Sequence, residues 1–108
     1  MRKRKDMTFL EYEAQASEFR LPTADSAYVS LNLIAEIGEL YGKWAKSIRD
    51  GVQPPEQEIK HELGDILWMF TALCHDCGSS IAEVASMNID KLTKRKAKNT
   101  IQGSGDNR

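Results

Sequence analysis

An all-α bundle of about four helices is the fold class this sequence predicts. Apolar residues recur at three- and four-residue intervals, Ser, Thr or Asp stands where helices would start, and Gly or Pro interrupts the runs. Little alternating β-pattern is present. With 108 residues, one small domain spanning 1–108 is expected, flanked by a basic N-terminal tail at 1–7 and a polar, Gly-rich C-terminal tail at 99–108.

Thr8 followed by Glu11 is a capping box and predicts a first helix running to about Arg20, before the Leu21-Pro22 break. Thr23 or Asp25 can cap the second helix, whose apolar residues Val29, Leu33, Ile37, Leu40, Trp44 and Ile48 form one stripe ending at Asp50-Gly51. Pro54-Pro55 precedes a third helix from about Glu56 to Cys77, stopped by Gly78. Ser80 and Glu83 make a further capping box and open a fourth helix reaching roughly Lys98.

Fifteen Lys and Arg face sixteen Asp and Glu, a formal net charge of −1, so no global field favours nucleic acid or a membrane. The basic start is not followed by an apolar stretch that resembles a signal peptide or a membrane span, and a cytoplasmic location is expected. Cys74 and Cys77 are too few for a disulfide framework and lie near a helix end, where the dipole opposes a thiolate. They are expected to be buried structural thiols.

The chemistry is carried by carboxylates. Glu36 and Glu39, three apart, share one face of the second helix, as Glu62 and Asp65 do on the third. The first pair borders the apolar stripe beside Asn32 and Lys43. The second precedes Ile66-Leu-Trp-Met-Phe70, five apolar residues pointing all round the axis, which are expected to be buried on every side. Carboxylates beside so dry a region tend to stay protonated unless a positive charge faces them. Residues 40–61 allow a hairpin that brings the two pairs face to face, and four converging carboxylates make a hard, oxygen-only site suited to Mg²⁺, with Mn²⁺ as a substitute. A ferritin-like di-iron site would want Glu-x-x-His on two helices; His61 instead precedes Glu62 directly and points elsewhere. On the fourth helix Asn88, Lys91 and Arg95 occupy a narrow sector beside Ile81, Ala85, Ile89 and Leu92, while Lys94, Lys96 and Lys98 read as a solvated helix end complementing the dipole.

The runs Glu36-Ile-Gly-Glu39 and Glu62-Leu-Gly-Asp65-Ile-Leu-Trp, followed by Asn88-Ile-Asp-Lys91-Leu-Thr-Lys-Arg95, resemble the E-x-x-E, E-x-x-D and N-x-x-K-L-x-x-R segments of the MazG-like all-α nucleotide pyrophosphohydrolases. The tail Gly103-Ser-Gly-Asp-Asn-Arg108 is similar to that of the family's small, single-domain members. The resemblance runs from about Thr23 to the C-terminus. It implies a homo-oligomer, a dimer or a dimer of dimers, with Mg²⁺ as cofactor and a nucleoside triphosphate, ribo- or deoxyribo-, cleaved to monophosphate and pyrophosphate. It further implies that Glu36, Glu39, Glu62 and Asp65 bind metal while Lys91 and Arg95 hold phosphates, and Lys43 and Asn88 join the candidate substrate-binding set.

In-line attack of water on the α-phosphorus is the expected route, without a covalent enzyme intermediate, and Glu39 is nominated as the base that positions the water. Two other readings remain: a non-enzymatic helical module that binds nucleotide and oligomerises, and a phosphoribosyl-ATP pyrophosphohydrolase on a related fold. Trp44, Trp68, Tyr28 and Tyr41 are read as core rather than base-stacking residues, since aromatics at helical spacing are usually packed.

Overall fold

Among the described residues four helices and one short 3₁₀ turn follow one another, and Thr8, Asp25 and Ser80 cap three of the helices as the sequence predicts. The computed structural model describes residues 6–103 and 105; the basic residues 1–5, and 104 and 106–108 of the expected C-terminal tail, lie outside the described residues. Thr8 Oγ1 accepts from the Glu11 backbone N–H at 3.1 Å and opens α1, Phe9–Ala16. The 3₁₀ turn Ser17–Phe19 completes the expected run toward Arg20, so the last stretch is wound more tightly than the predicted α-helix. Asp25, one of two candidate caps, accepts from the Tyr28 N–H and starts α2, Ser26–Asp50. Pro55 precedes α3, Glu56–Asp76, and Ser80 caps α4, Ile81–Ala97. No strand occurs among the described residues, and no helix is long and apolar enough to cross a membrane.

Three helices close in the same way. At Gly51, Gly78 and Asn99 the backbone turns left-handed, with φ of 66°, 72° and 57°. The next residue then donates back to a carbonyl one turn inside the helix, from Val52 to Ser47, Ser79 to Cys74 and Thr100 to Arg95. Gly adopts this conformation without a Cβ penalty and Asn is among the few other residues that tolerate it.

The frame is the antiparallel hairpin of α2 and α3. Val29 packs in one cluster with Met69 and Ala72, Asn32 Nδ2 approaches Met69 Sδ at 3.7 Å, and Lys43 Nζ lies 3.4 Å from Glu58. Positions rising along α2 therefore meet positions falling along α3. The face of α2 turned toward α3 carries Val29, Leu33, Glu36, Leu40, Lys43 and Ser47. This corrects the single stripe expected from the sequence: Ile37, Trp44 and Ile48 lie on the outward side, and polar groups take their places against α3. The apolar run of α3 is likewise not buried on every side, because Met69 is buried, Ile66, Leu67 and Trp68 are half-buried, and Phe70 is 41% exposed.

α1 runs alongside α3 in the same direction. Trp68 Nε1 donates to the Ala16 carbonyl at 3.0 Å, and farther along both elements Arg20 makes two bonds to Asp76, at 2.8 and 3.0 Å. Asp76 also accepts from Ser26 Oγ at 2.6 Å, so one carboxylate ties together the end of the 3₁₀ segment, the start of α2 and the end of α3. Glu13 reaches from α1 to the backbone N–H of Ala82, adding a second acceptor to the Ser80 cap of α4. Of the two cysteines, Cys74 is buried as expected, with its thiol pushed up by burial, whereas Cys77 is exposed because it follows the last turn of α3.

Arg20 and Ser26 hold the Asp76 carboxyl at about 2, below its ordinary 3.8, chiefly through hydrogen bonds. An acid depressed by folding contributes stability that is present above its unfolded value and is lost as pH falls through the folded one. Asp76→Asn is therefore expected to melt below wild type at pH 7, with the gap narrowing as pH drops from 4 to 2 in circular-dichroism melts. An unchanged gap across that range would mean the clasp does not act through charge.

Candidate metal centre

Glu36 stands on the inner face of α2, and seven residues later on the same face is Lys43, which pairs with Glu58. By the antiparallel register Glu36 therefore meets α3 near its first third. There α3 presents Glu62 and Asp65, and one oxygen from each of Glu36, Glu62 and Asp65 lies within 4.8 Å of the others. The group draws on both arms of the hairpin. Glu36 and Glu62 are half-buried and Asp65 is exposed, so the cluster has a dry floor and an open mouth.

The electrostatics are unfavourable to three separate anions. The Oε2 atoms of Glu36 and Glu62 are buried with no hydrogen-bond partner among the described residues. Burial first, then a hydrogen bond to Glu62 that only a protonated carboxyl can donate, then repulsion from Glu39, Asp65 and Glu62, push Glu36 up to about 7. Glu36 is raised because it is desolvated and faces both acids of α3 across the hairpin. Every charge acting on it in this account is acidic. Buried oxygens without donors and mutually repelling carboxylates suit a small divalent cation, and an all-oxygen set suits Mg²⁺ or Mn²⁺.

The remaining sequence-derived residues stand on α2 and α4. Glu39, one turn along α2, is exposed and bears on Glu36 by charge without joining the group within 4.8 Å. Lys43 lies toward the hairpin's closed end. Asn88 and Lys91 line a groove on α4 with Val84 and Met87. Arg95 is buried, 5% exposed, and donates to the Gly105 carbonyl at 3.3 Å, so within the chain its guanidinium supports the segment after α4.

Of the four aromatics expected to be core, Trp68 is half-buried, whereas Tyr28, Tyr41 and Trp44 are exposed, which corrects that expectation. Trp68 anchors α1, Tyr41 and Trp44 lie on the outward side of α2, and Tyr28 is exposed at its start. A residue that sequence reading did not single out is Tyr12: it is half-buried on α1, and its phenol is pushed up by burial and by the charge of Asp65. Nothing in the local pattern of α1 reveals this, since it depends on α1 docking beside α3.

The MazG nucleotide pyrophosphohydrolase domain family matches residues 26–100, from the first residue of α2 to just past α4. The chain belongs to that family. It is also 38% identical over 86 residues to the Gene 37 protein of Mycobacterium phage L5, an alignment covering 76% of this chain and 75% of that protein. No solved structure matches the chain. Both acid pairs and the Asn88–Arg95 segment fall inside the family match, whereas α1 and Tyr12 fall outside it.

Glu36 titrates near 7 against an ordinary 4.5, so ionising it costs more in the folded chain than in the unfolded one. That penalty is absent below 4.5, grows as pH rises to 7, and is complete above it. Metal-free Glu36→Gln is expected to be more stable than metal-free wild type by about 1–3 kcal/mol at pH 8 and equal to it near pH 4. Adding Mg²⁺ should raise the melting temperature of wild type at pH 8 and leave the variant unmoved. Melts in chelator and in Mg²⁺ at both pH values read all four comparisons.

Proposed function

We propose that this protein hydrolyses a nucleoside triphosphate, ribo- or deoxyribo-, to the monophosphate and pyrophosphate with Mg²⁺, for which Mn²⁺ can substitute. The observation that carries the reading is the meeting of Glu36, Glu62 and Asp65 across the α2–α3 hairpin, within a segment matched by a nucleotide pyrophosphohydrolase family. A bound divalent cation would supply charge neutralisation for the polyphosphate and a lowered pKa for water.

In this reading Glu36, Glu62 and Asp65 hold the cation, and their fixed positions on two packed helices keep the site formed before substrate arrives. Glu39, more exposed and on the next turn, orients the attacking water and accepts its proton. Lys43 is available to the phosphates, because its present bond to Glu58 is a long, partly exposed ion pair of small net value. Lys91 and Asn88, which share a groove, form the second phosphate-holding element. Arg95, one turn beyond Lys91, is the further phosphate-holding candidate on α4 and also donates to the Gly105 carbonyl.

Self-association belongs to the same reading. Ile34, Ile37, Tyr41, Trp44 and Ile48 follow one another at intervals of three and four along the outward side of α2, and Ile34 and Ile48 are 69% and 76% exposed. That spacing is the seam of a helix–helix contact. A stripe of this kind marks a contact surface, and a second copy covers it by placing α2 against α2 in a homodimer, which could pair again into a tetramer.

Offered each nucleoside triphosphate with Mg²⁺, the purified protein should release pyrophosphate and monophosphate from at least one, and Glu39→Gln should lower turnover at least 100-fold with an unchanged melting temperature. Orthophosphate as first product would contradict the chemistry, and nucleotide binding without any product would leave a binding module. Sedimentation at micromolar concentration is expected to give a dimer or tetramer for wild type. Ile34→Glu with Ile48→Glu should shift it toward monomer, and a monomeric wild type would remove the α2 contact.

A further inference from the structure

The acid cluster is bounded by α2 and α3, but the register of α1 brings a third element to it. Ala16 meets Trp68 and Arg20 meets Asp76, so α1 and the 3₁₀ turn advance beside α3 in the same direction. One turn before Ala16 stands Tyr12, and one turn before Trp68 stand Gly64 and Asp65. Stepping back from the Trp68 bond by a turn on each helix therefore sets Tyr12 beside Asp65. The field of Asp65 reaches the Tyr12 phenol, in agreement with this placement. No Cβ shields the neighbouring position, since Gly64 faces open space with no heavy atom within 4 Å of a Cβ built there.

The phenol is half-buried, and its oxygen makes no hydrogen bond among the described residues. A phenol next to a carboxylate keeps its proton, so the group offered at the mouth of the cluster is an O–H donor. Polyphosphate brings acceptor oxygens to a carboxylate-held cation, and those oxygens are what such a donor can bond.

We propose that Tyr12, on a helix outside the family-matched segment, is a substrate-binding residue that donates its hydroxyl to a phosphate oxygen of the nucleotide held at Glu36, Glu62 and Asp65. The assignment rests on the proposed nucleotide chemistry of that cluster. It makes α1 a wall of the site as well as a brace for α3 and α4, with Trp68 and Glu13 fixing how far Tyr12 stands from Asp65.

The test compares wild type with Tyr12→Phe, which keeps the ring and removes the hydroxyl. The probes are inorganic tripolyphosphate with Mg²⁺, titrated by calorimetry, and the best nucleotide substrate, followed by steady-state kinetics. Loss of one hydrogen bond to a charged acceptor is expected to weaken tripolyphosphate binding and raise KM roughly tenfold to a hundredfold, with kcat within about twofold and the melting temperature unchanged. Tripolyphosphate binding equal to wild type overturns the assignment, and a raised nucleotide KM beside that result would move the contact to the base or sugar. Tyr12→Ala controls for the ring: an effect in Tyr12→Ala alone, with Tyr12→Phe as wild type, also overturns it. Should wild type bind tripolyphosphate but hydrolyse no nucleotide, the hydrolase reading fails while calorimetry still decides the role of Tyr12.

Discussion

Three carboxyl groups on two packed helices share a space in which their oxygens approach within 4.8 Å, and this crowding of like charge is the constraint around which the rest is arranged. Such a cluster is a liability to a metal-free chain, because burial and repulsion both disfavour ionisation. A hairpin that only had to be stable would place apolar side chains at these positions. Here Glu36, Lys43 and Ser47 occupy the inner face of α2 where a larger core could have been, and the closely packed cluster around Val29 is displaced toward one end. The loss is made tolerable by rigid caps and by the Asp76 clasp, which fix the helices that hold the acids.

Much of the fold was legible in the sequence. Thr8, Asp25 and Ser80 at the starts and Gly51 and Gly78 at the ends mark the helices because each side chain, or the lack of one, satisfies a local backbone requirement that needs no tertiary context. Glu36, Glu62 and Asp65 were legible as candidates for a similar reason, three-residue spacing on a helix face, whereas Glu39 is exposed and stays outside the group they form. Periodicity was weaker at deciding which side of α2 is inward. Apolar residues occupy both sides, at Val29, Leu33 and Leu40 on one and at Ile34, Ile37, Tyr41, Trp44 and Ile48 on the other, so counting three- and four-residue steps merged two faces into one stripe. Tyr12 was invisible because its relation to Asp65 is set by the docking of α1, which depends on Trp68 and Arg20 at separate points of the chain.

The two faces of α2 differ in kind. Its inner side contributes Glu36, one of the three acids of the cluster, while its outer side presents an exposed apolar seam. Glu39 bears on Glu36 from the next turn while remaining exposed. A contact along the seam would stiffen α2, and the precision with which Glu36 meets α3 would gain from it.

Only residues 51–55 separate α2 from α3, so the chain closes this hairpin with little loss of loop entropy. Contacts near in sequence form early, and the arms bearing the acids are joined by a link of five residues. The binding geometry for a cation can therefore be assembled before the N-terminal helix and α4 are in place. Once the hairpin has closed, the acids of both arms are in reach of one another, and the helices that dock onto it afterwards decide what else enters.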